Sequence, residues 1–138
     1  CDGYHISPPV IRAAFKMMGT ERICFISDSM MATGLQDGEY ELGGQKVIVK
    51  NRQATLENGT LAGSATNLFE CLRIAVRKMA IPLADAVRAC TYIPAEAVGE
   101  SCIGRIQEHA LADLLIVDKD LNLLGIMLNG NWIMEPKL

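Results

Sequence analysis

The sequence predicts an α/β chain built from the βα units of a parallel barrel, and three observations carry that expectation. Ile23-Cys24-Phe25-Ile26 is a short continuous apolar run of the kind buried on both faces of a parallel sheet, and it ends abruptly in Ser27-Asp28-Ser29. Helical periodicity flanks the run on either side. The chain has 138 residues, whereas a closed (β/α)₈ barrel takes about 250. A lone parallel strand needs parallel neighbours that this sequence does not contain, so the chain fits the last units of a barrel better than a complete one.

The elements follow in order. Ser7-Pro8-Pro9 reads as a helix start, with Ser7 as N-cap and Pro8 in the first turn, and Val10, Ile11, Ala14, Phe15 and Met18 then recur at helical spacing until Gly19. The predicted helix covers about 8–18. After the run at 23–26 the pattern changes to short β segments at 39–42, 46–50 and 53–56, with Gly43-Gly44 and Asn51-Arg52 as turns, which reads as an inserted hairpin or small meander. Helices are expected at about 66–79, entered through Ser64-Ala65-Thr66, at 83–91, and from Pro94 to about Val98. The C-terminal part reads as strands at 114–117 and 123–128, a turn at Asn129-Gly130, and a strand at Trp132-Ile133-Met134.

Composition excludes several classes of function. The chain is 50% hydrophobic and 21% charged, with 13 Lys+Arg against 16 Asp+Glu and a formal net charge of −3. No stretch approaches the roughly 18 to 20 apolar residues of a membrane span, and the first residues lack the basic and apolar regions of a secretory signal. With no basic cluster and 5% aromatics, nothing prepares a surface for a nucleic-acid backbone. Five cysteines (Cys1, Cys24, Cys71, Cys90 and Cys102) stand without metal or redox spacing, which reads as reduced thiols in a cytoplasmic protein, the internal ones packed as small apolar residues. A beginning at Cys1, straight into a polar segment, suggests a piece of something longer.

Few residues offer chemistry. Asp28 follows the apolar run at what would be the C-terminal tip of a barrel strand, where barrel enzymes place their catalytic groups. A carboxylate there can take a proton from a nucleophilic water and return it to a leaving group; equally, it can brace the loop that follows. His5, just before a capped helix, would occupy the tip of the preceding strand, although a lone histidine is more often a structural hydrogen bonder. His109 sits in a turn-like stretch, and two histidines so far apart make no metal site by themselves. Asn58-Gly59-Thr60 reads as turn chemistry, and Gly59, Gly63 and Ser64 form a small-residue loop before a helix, where exposed N–H groups suit a polar or anionic ligand.

Asp2-Gly3-Tyr4-His5, Ser27-Asp28-Ser29-Met30, the run from Asp37 through Gly44, and Gly59-Thr60-Leu61-Ala62-Gly63-Ser64 occur in that order. With these motifs the chain resembles the C-terminal part of the N-acetylglucosamine-6-phosphate deacetylase family, over essentially its whole length. Thr91-Tyr92-Ile93-Pro94-Ala95 and the run from Ala112 through Asp118 extend the resemblance, though these are shared across the amidohydrolase superfamily. The resemblance implies the closing units of a TIM-barrel amidohydrolase over about 1–100, with an inserted β segment at 39–56, and strands of a small β-sandwich domain over 101–138.

It further implies a metal-dependent hydrolase that removes acetate from N-acetylglucosamine 6-phosphate. Asp28 matches the catalytic aspartate, which would activate a metal-bound water and protonate the departing amine. His5 matches a histidine contacting the substrate near the scissile acetamide, Gly3 and Tyr4 adjoin it, and Leu61, Ala62 and Gly63 match a loop whose backbone contacts the sugar. The implied cofactor is a divalent metal, zinc or iron, whose ligands, a glutamate and two histidines, lie on earlier strands and are absent here. No metal ligand is therefore expected in this chain, which should be inactive alone. The resemblance also departs at His109-Ala110, where the family has glycine and lysine. Two other readings stay open: a deacetylase of another sugar phosphate such as N-acetylgalactosamine 6-phosphate, and a non-catalytic binding or assembly module. The unpaired edges of the strand at 23–26 predict self-association, giving a homo-oligomer or an aggregate-prone species.

Overall fold

The computed structural model describes residues 1–136. The chain forms two compact units, one spanning Cys1–Cys90 and one running from Thr91 onward.

The first unit opens with α1, Pro8–Met18. Ser7 is the N-cap, but its hydroxyl makes no capping bond. The reason is local: an N-cap side chain accepts from the second or third helical N–H, Pro9 has none, and the Val10 N–H is already held by the Ser7 carbonyl at 3.0 Å. Gly19 closes the helix at φ 75° by donating to the Phe15 carbonyl, and a 3₁₀ turn, Thr20–Arg22, follows.

The run at 23–26 joins no ladder among the described residues. Both sheets are antiparallel, so it finds no parallel partner. Phe25 is buried, its N–H donating to the Ala89 carbonyl at 2.8 Å and its ring meeting Phe15 edge-on at 5.9 Å. Ile26, expected inside, is 68% exposed, because none of the described elements packs over its side of the run.

Three strands, β1 (Gly38–Leu42), β2 (Gln45–Lys50) and β3 (Gln53–Leu56), make an antiparallel meander. The β1–β2 turn has Gly43 and Gly44 at φ 58° and 79°, the positive values that a two-residue hairpin turn demands. Asn51 and Arg52 make the same turn without glycine, at φ 52° and 65°. Alternation puts Val47 and Val49 on the inner face, where they pack with Met30, Ala32, Ala54, Ala62 and Ala65. This small core welds the meander to the segments after Asp28 and before the next helix.

That helix, α2, spans Leu68–Met79. Its N-cap is Asn67, whose side chain accepts the Glu70 N–H at 2.9 Å, so the entry lies just beyond the expected Ser64-Ala65-Thr66. Cys71, Leu72, Ala75 and Met79 form its buried stripe, and α1 and α3 (Leu83–Cys90) pack against it. Thr66, 1% exposed, keeps its hydroxyl without a partner. Thr66→Val should therefore raise the stability of the chain by about 1 to 2 kcal/mol, because a desolvated, unpaired hydroxyl is removed at nearly constant shape. Urea unfolding of the two proteins checks this, and a lower midpoint for Thr66→Val would show that the hydroxyl is satisfied in solution.

The second unit holds α4 (Tyr92–Ala97) and a second antiparallel meander, β4 (Leu114–Val117), β5 (Leu123–Leu128) and β6 (Asn131–Met134). Arg105 bonds Glu96 and stacks over the Tyr92 ring, its guanidinium 4.8 Å from the centroid, which ties the loop after α4 back onto the helix.

Candidate functional site

Asp28 stands at φ 54°, a conformation uncommon for a residue with a side chain. The surrounding backbone enforces it. The Asp28 carbonyl accepts the Ser64 N–H at 2.9 Å, the Ser64 carbonyl accepts the Met30 N–H at 2.8 Å, and Ser29 and Ser64 form a parallel bridge. Ser29 Oγ donates to the Thr66 carbonyl and Thr33 Oγ1 to the Ser64 carbonyl, both at 3.1 Å. The segment 28–33 is thus riveted to the loop 61–66. The Asp28 carboxylate itself is exposed and makes no hydrogen bond or ion pair among the described residues. It does not brace its loop; the main chain does that.

Leu61, Ala62 and Gly63 share this site. The Ala62 N–H is committed to the Ala54 carbonyl at 3.0 Å, and Gly63, at φ 65°, lies where an added Cβ would sit 3.6 Å from the Asp28 carbonyl. Gly63 commits neither its N–H nor its carbonyl to any described residue. The loop as a whole is not an anion cradle, contrary to the expectation from its small residues. Gly59, Thr60, Ala62 and Ser64 all donate their N–H groups within the chain.

His5, Gly3 and Tyr4 form a second group around Asp2, a residue that composition and spacing did not single out. Asp2 is buried, and its Oδ1 accepts the N–H groups of Tyr4 and His5 at 3.0 and 3.2 Å. Its Oδ2 lies 2.7 Å from His5 Nδ1. Burial opposes the charge on Asp2, but these donors outweigh it and hold the carboxyl below its ordinary value of 3.8. Its contribution to stability is accordingly complete at neutral pH and is lost as pH falls below that value. The Asp-x-x-His spacing was the available signal, since an aspartate side chain bonds backbone N–H groups two and three residues on.

Gly3, at φ 90°, approaches Ile74 of α2, and the Tyr4 hydroxyl donates to the Asn51 carbonyl at 3.1 Å. Both residues line a cleft of about 460 Å³ between the β2–β3 turn and α2. Two of its arginines are structural: Glu70 bonds both Arg52, at 2.8 Å, and Arg73. Burial disfavours the Glu70 charge, and the two guanidinium groups more than compensate, holding its carboxyl below the usual range. Neither Asp28 nor His5 lines this cleft, and among the described residues no hydrogen bond joins the two. The structure therefore groups Asp28 with 61–63, and His5 with Gly3 and Tyr4, each set within the first unit.

The thiols divide. Cys71 is buried and Cys24 and Cys90 are half-buried, as packing residues should be, and burial pushes the Cys90 thiol up to about 12. Cys102 is exposed, against expectation, because it lies in an irregular segment with no core over it. His109 is also exposed, in a turn at φ 68°. Among the described residues no three His, Cys, Asp or Glu side chains converge on one point, so these residues do not supply a divalent-metal site. No helix among them is long and apolar enough to cross a membrane.

Known proteins resemble the chain along nearly its whole length. Residues 7–133 match the Amidohydrolase family. The chain is 35% identical over 131 residues to N-acetylglucosamine-6-phosphate deacetylase of Bacillus subtilis, covering 94% of this chain and 33% of that protein. It is 28% identical over 136 residues to N-acetylgalactosamine-6-phosphate deacetylase of Shewanella, covering 99% and 34%. The crystal structure of N-acetylglucosamine-6-phosphate deacetylase from Pasteurella multocida superposes with a TM-score of 0.91 at 32% identity, over 97% of this chain and 35% of that one. The chain spans about a third of the length of most curated relatives it matches, and 77% of a putative N-acetylgalactosamine-6-phosphate deacetylase of Escherichia coli.

Proposed function

The chain belongs to the amidohydrolase family, and from that premise we propose that it forms part of a metal-dependent deacetylase acting on N-acetylglucosamine 6-phosphate. The observation that carries the reading is the Asp28 site: a residue whose carboxylate has no partner of its own among the described residues, and whose main chain is bonded to Ser64 and runs beside Gly63. Similarity to deacetylases along nearly the whole chain supports it.

In this reading the Asp28 carboxylate takes a proton from the attacking water and returns it to the amine as the acetamide C–N bond breaks. The Gly63 N–H and carbonyl orient the sugar. His5 faces the acetamide carbonyl, with Gly3 and Tyr4 shaping its surroundings. Amidohydrolases are generally metal-dependent, but the residues described here do not fit a metal, so its ligands belong to other segments of a longer enzyme. Residues 1–100 would then be closing barrel units and 101–138 strands of a small β domain. The 138-residue polypeptide alone would be inactive, and it would self-associate through apolar residues such as Ile26 and Met31, both about two-thirds exposed. Sedimentation at micromolar concentration showing only monomer would remove that last point.

A second reading changes only the sugar, and the Shewanella relative favours keeping it in view. A panel of N-acetylglucosamine 6-phosphate, N-acetylgalactosamine 6-phosphate and unphosphorylated N-acetylglucosamine tests both on the polypeptide expressed from its complete reading frame. The first substrate should have the highest kcat/KM; preference for the second would assign the epimer, and preference for the third would refute a sugar-phosphate enzyme.

A further inference from the structure

We propose that Asp2 is the positioning residue for His5, fixing its ring with Nδ1 protonated toward Asp2 and Nε2 directed to the substrate. The inference rests on the deacetylase reading for what Nε2 faces, but the fixed ring stands on geometry alone.

Asp2 is buried, 7% exposed, at the head of the Asp2-Gly3-Tyr4-His5 turn. Its Oδ1 is occupied by the Tyr4 and His5 N–H groups, which sets the direction of Oδ2. Oδ2 lies 2.7 Å from His5 Nδ1. An ionised carboxylate only accepts hydrogen bonds, so the ring nitrogen facing it must carry the proton. In the neutral ring the other nitrogen then holds a lone pair, and it has no partner among the described residues. For Nε2 to donate to a carbonyl oxygen the ring must be doubly protonated, and the Asp2 carboxylate supplies the balancing charge. Gly3 contributes by its φ of 90°, which lets the chain turn tightly enough for residues 2 and 5 to meet.

The chain contains two histidines, and His109 is exposed, with Glu108 at 3.6 Å from its Nε2. Ring ¹⁵N NMR of the 138-residue chain at neutral pH therefore has an internal reference. In the neutral rings, His5 should show a protonated Nδ1 and an unprotonated Nε2, while His109 should favour the Nε2–H form of a solvated imidazole.

Asp2→Asn is the informative variant, because the amide oxygen still accepts the two backbone N–H groups while its NH₂ faces the ring as a donor. His5 should then switch to the Nε2–H form. The neutral Nε2–H ring can still donate, but without the carboxylate it lacks the balanced positive charge, so in the polypeptide from the complete reading frame kcat should fall on the order of 10- to 100-fold with KM little changed, as for other residues that orient a functional histidine. Asp2→Ala, which removes the acceptor, should release the ring to the His109-like form and lower kcat similarly. A wild-type His5 already in the Nε2–H form, or a tautomer indifferent to both substitutions, would overturn the proposal. If the ring switches as expected but the wild-type polypeptide releases no acetate, the deacetylase reading fails and the Asp2–His5 device stands.

Discussion

Asp28→Asn should lower kcat for acetate release by about 10²- to 10⁴-fold, the range associated with a positioned acid–base group, while substrate binding and fold stay nearly unchanged. The amide has the shape of the carboxylate and cannot accept the proton. Structural side effects should be small, because every bond that holds this residue in place runs through its backbone: the carbonyl to the Ser64 N–H, and Met30 and Ser29 to the loop beyond. Asparagine also tolerates the φ of 54° better than most residues. Rate and stability therefore separate cleanly. Steady-state kinetics with urea unfolding of the same preparation checks both, and near-normal turnover would remove Asp28 from the chemistry.

Gly104→Ala should be among the most destabilising single changes in the second unit. A Cβ at Gly104 would lie 2.6 Å from the Thr91 carbonyl oxygen and 2.8 Å from its carbon, and φ is 75°. Main chain cannot yield as a flexible side chain can. The left-handed conformation and the forced overlap should each cost about 1 to 3 kcal/mol. Gly99→Ala is the control, since φ there is 78° but nothing lies within 4 Å of the added carbon. It should carry the conformational part alone. Urea midpoints for the two variants give the comparison, and equal losses would mean that the approach to Thr91 is looser than the structure has it.

The elements with strong local signals were legible in the sequence. Ser7-Pro8-Pro9 and Gly19 bound α1, and the Gly43-Gly44 and Asn129-Gly130 turns set two hairpins. What stayed hidden depends on partners distant in sequence. The small residues before Asn67 look like the helix entry, but Ser64 and Thr66 are drawn into bonds with the Asp28 and Ser29 region, and Asn67 caps the helix. Local turn and bridge bonds likewise take the N–H groups of Gly59, Thr60, Ala62 and Ser64, and leave that of Gly63 uncommitted among the described residues. The run at 23–26 has the composition of a buried strand, yet composition cannot tell whether a partner is present, and Ile26 stays exposed.

Of the candidate site, Asp28 was legible from its position after an apolar run, and its grouping with 61–63 came only from resemblance. Asp2 is hidden at this level, because a buried carboxylate looks like any solvated one until its donors are seen. Those donors are three residues away at most, so the Asp-x-x-His spacing before a proline-led helix held the information in local form.

The most direct measurement is acetate and glucosamine 6-phosphate formation from N-acetylglucosamine 6-phosphate by the polypeptide expressed from its complete reading frame, with divalent metal supplied. The account predicts equal amounts of the two products from the wild-type protein and a rate lower by orders of magnitude from Asp28→Asn. A folded, metal-loaded wild-type protein that forms neither product from this substrate or its galactosamine epimer would contradict it.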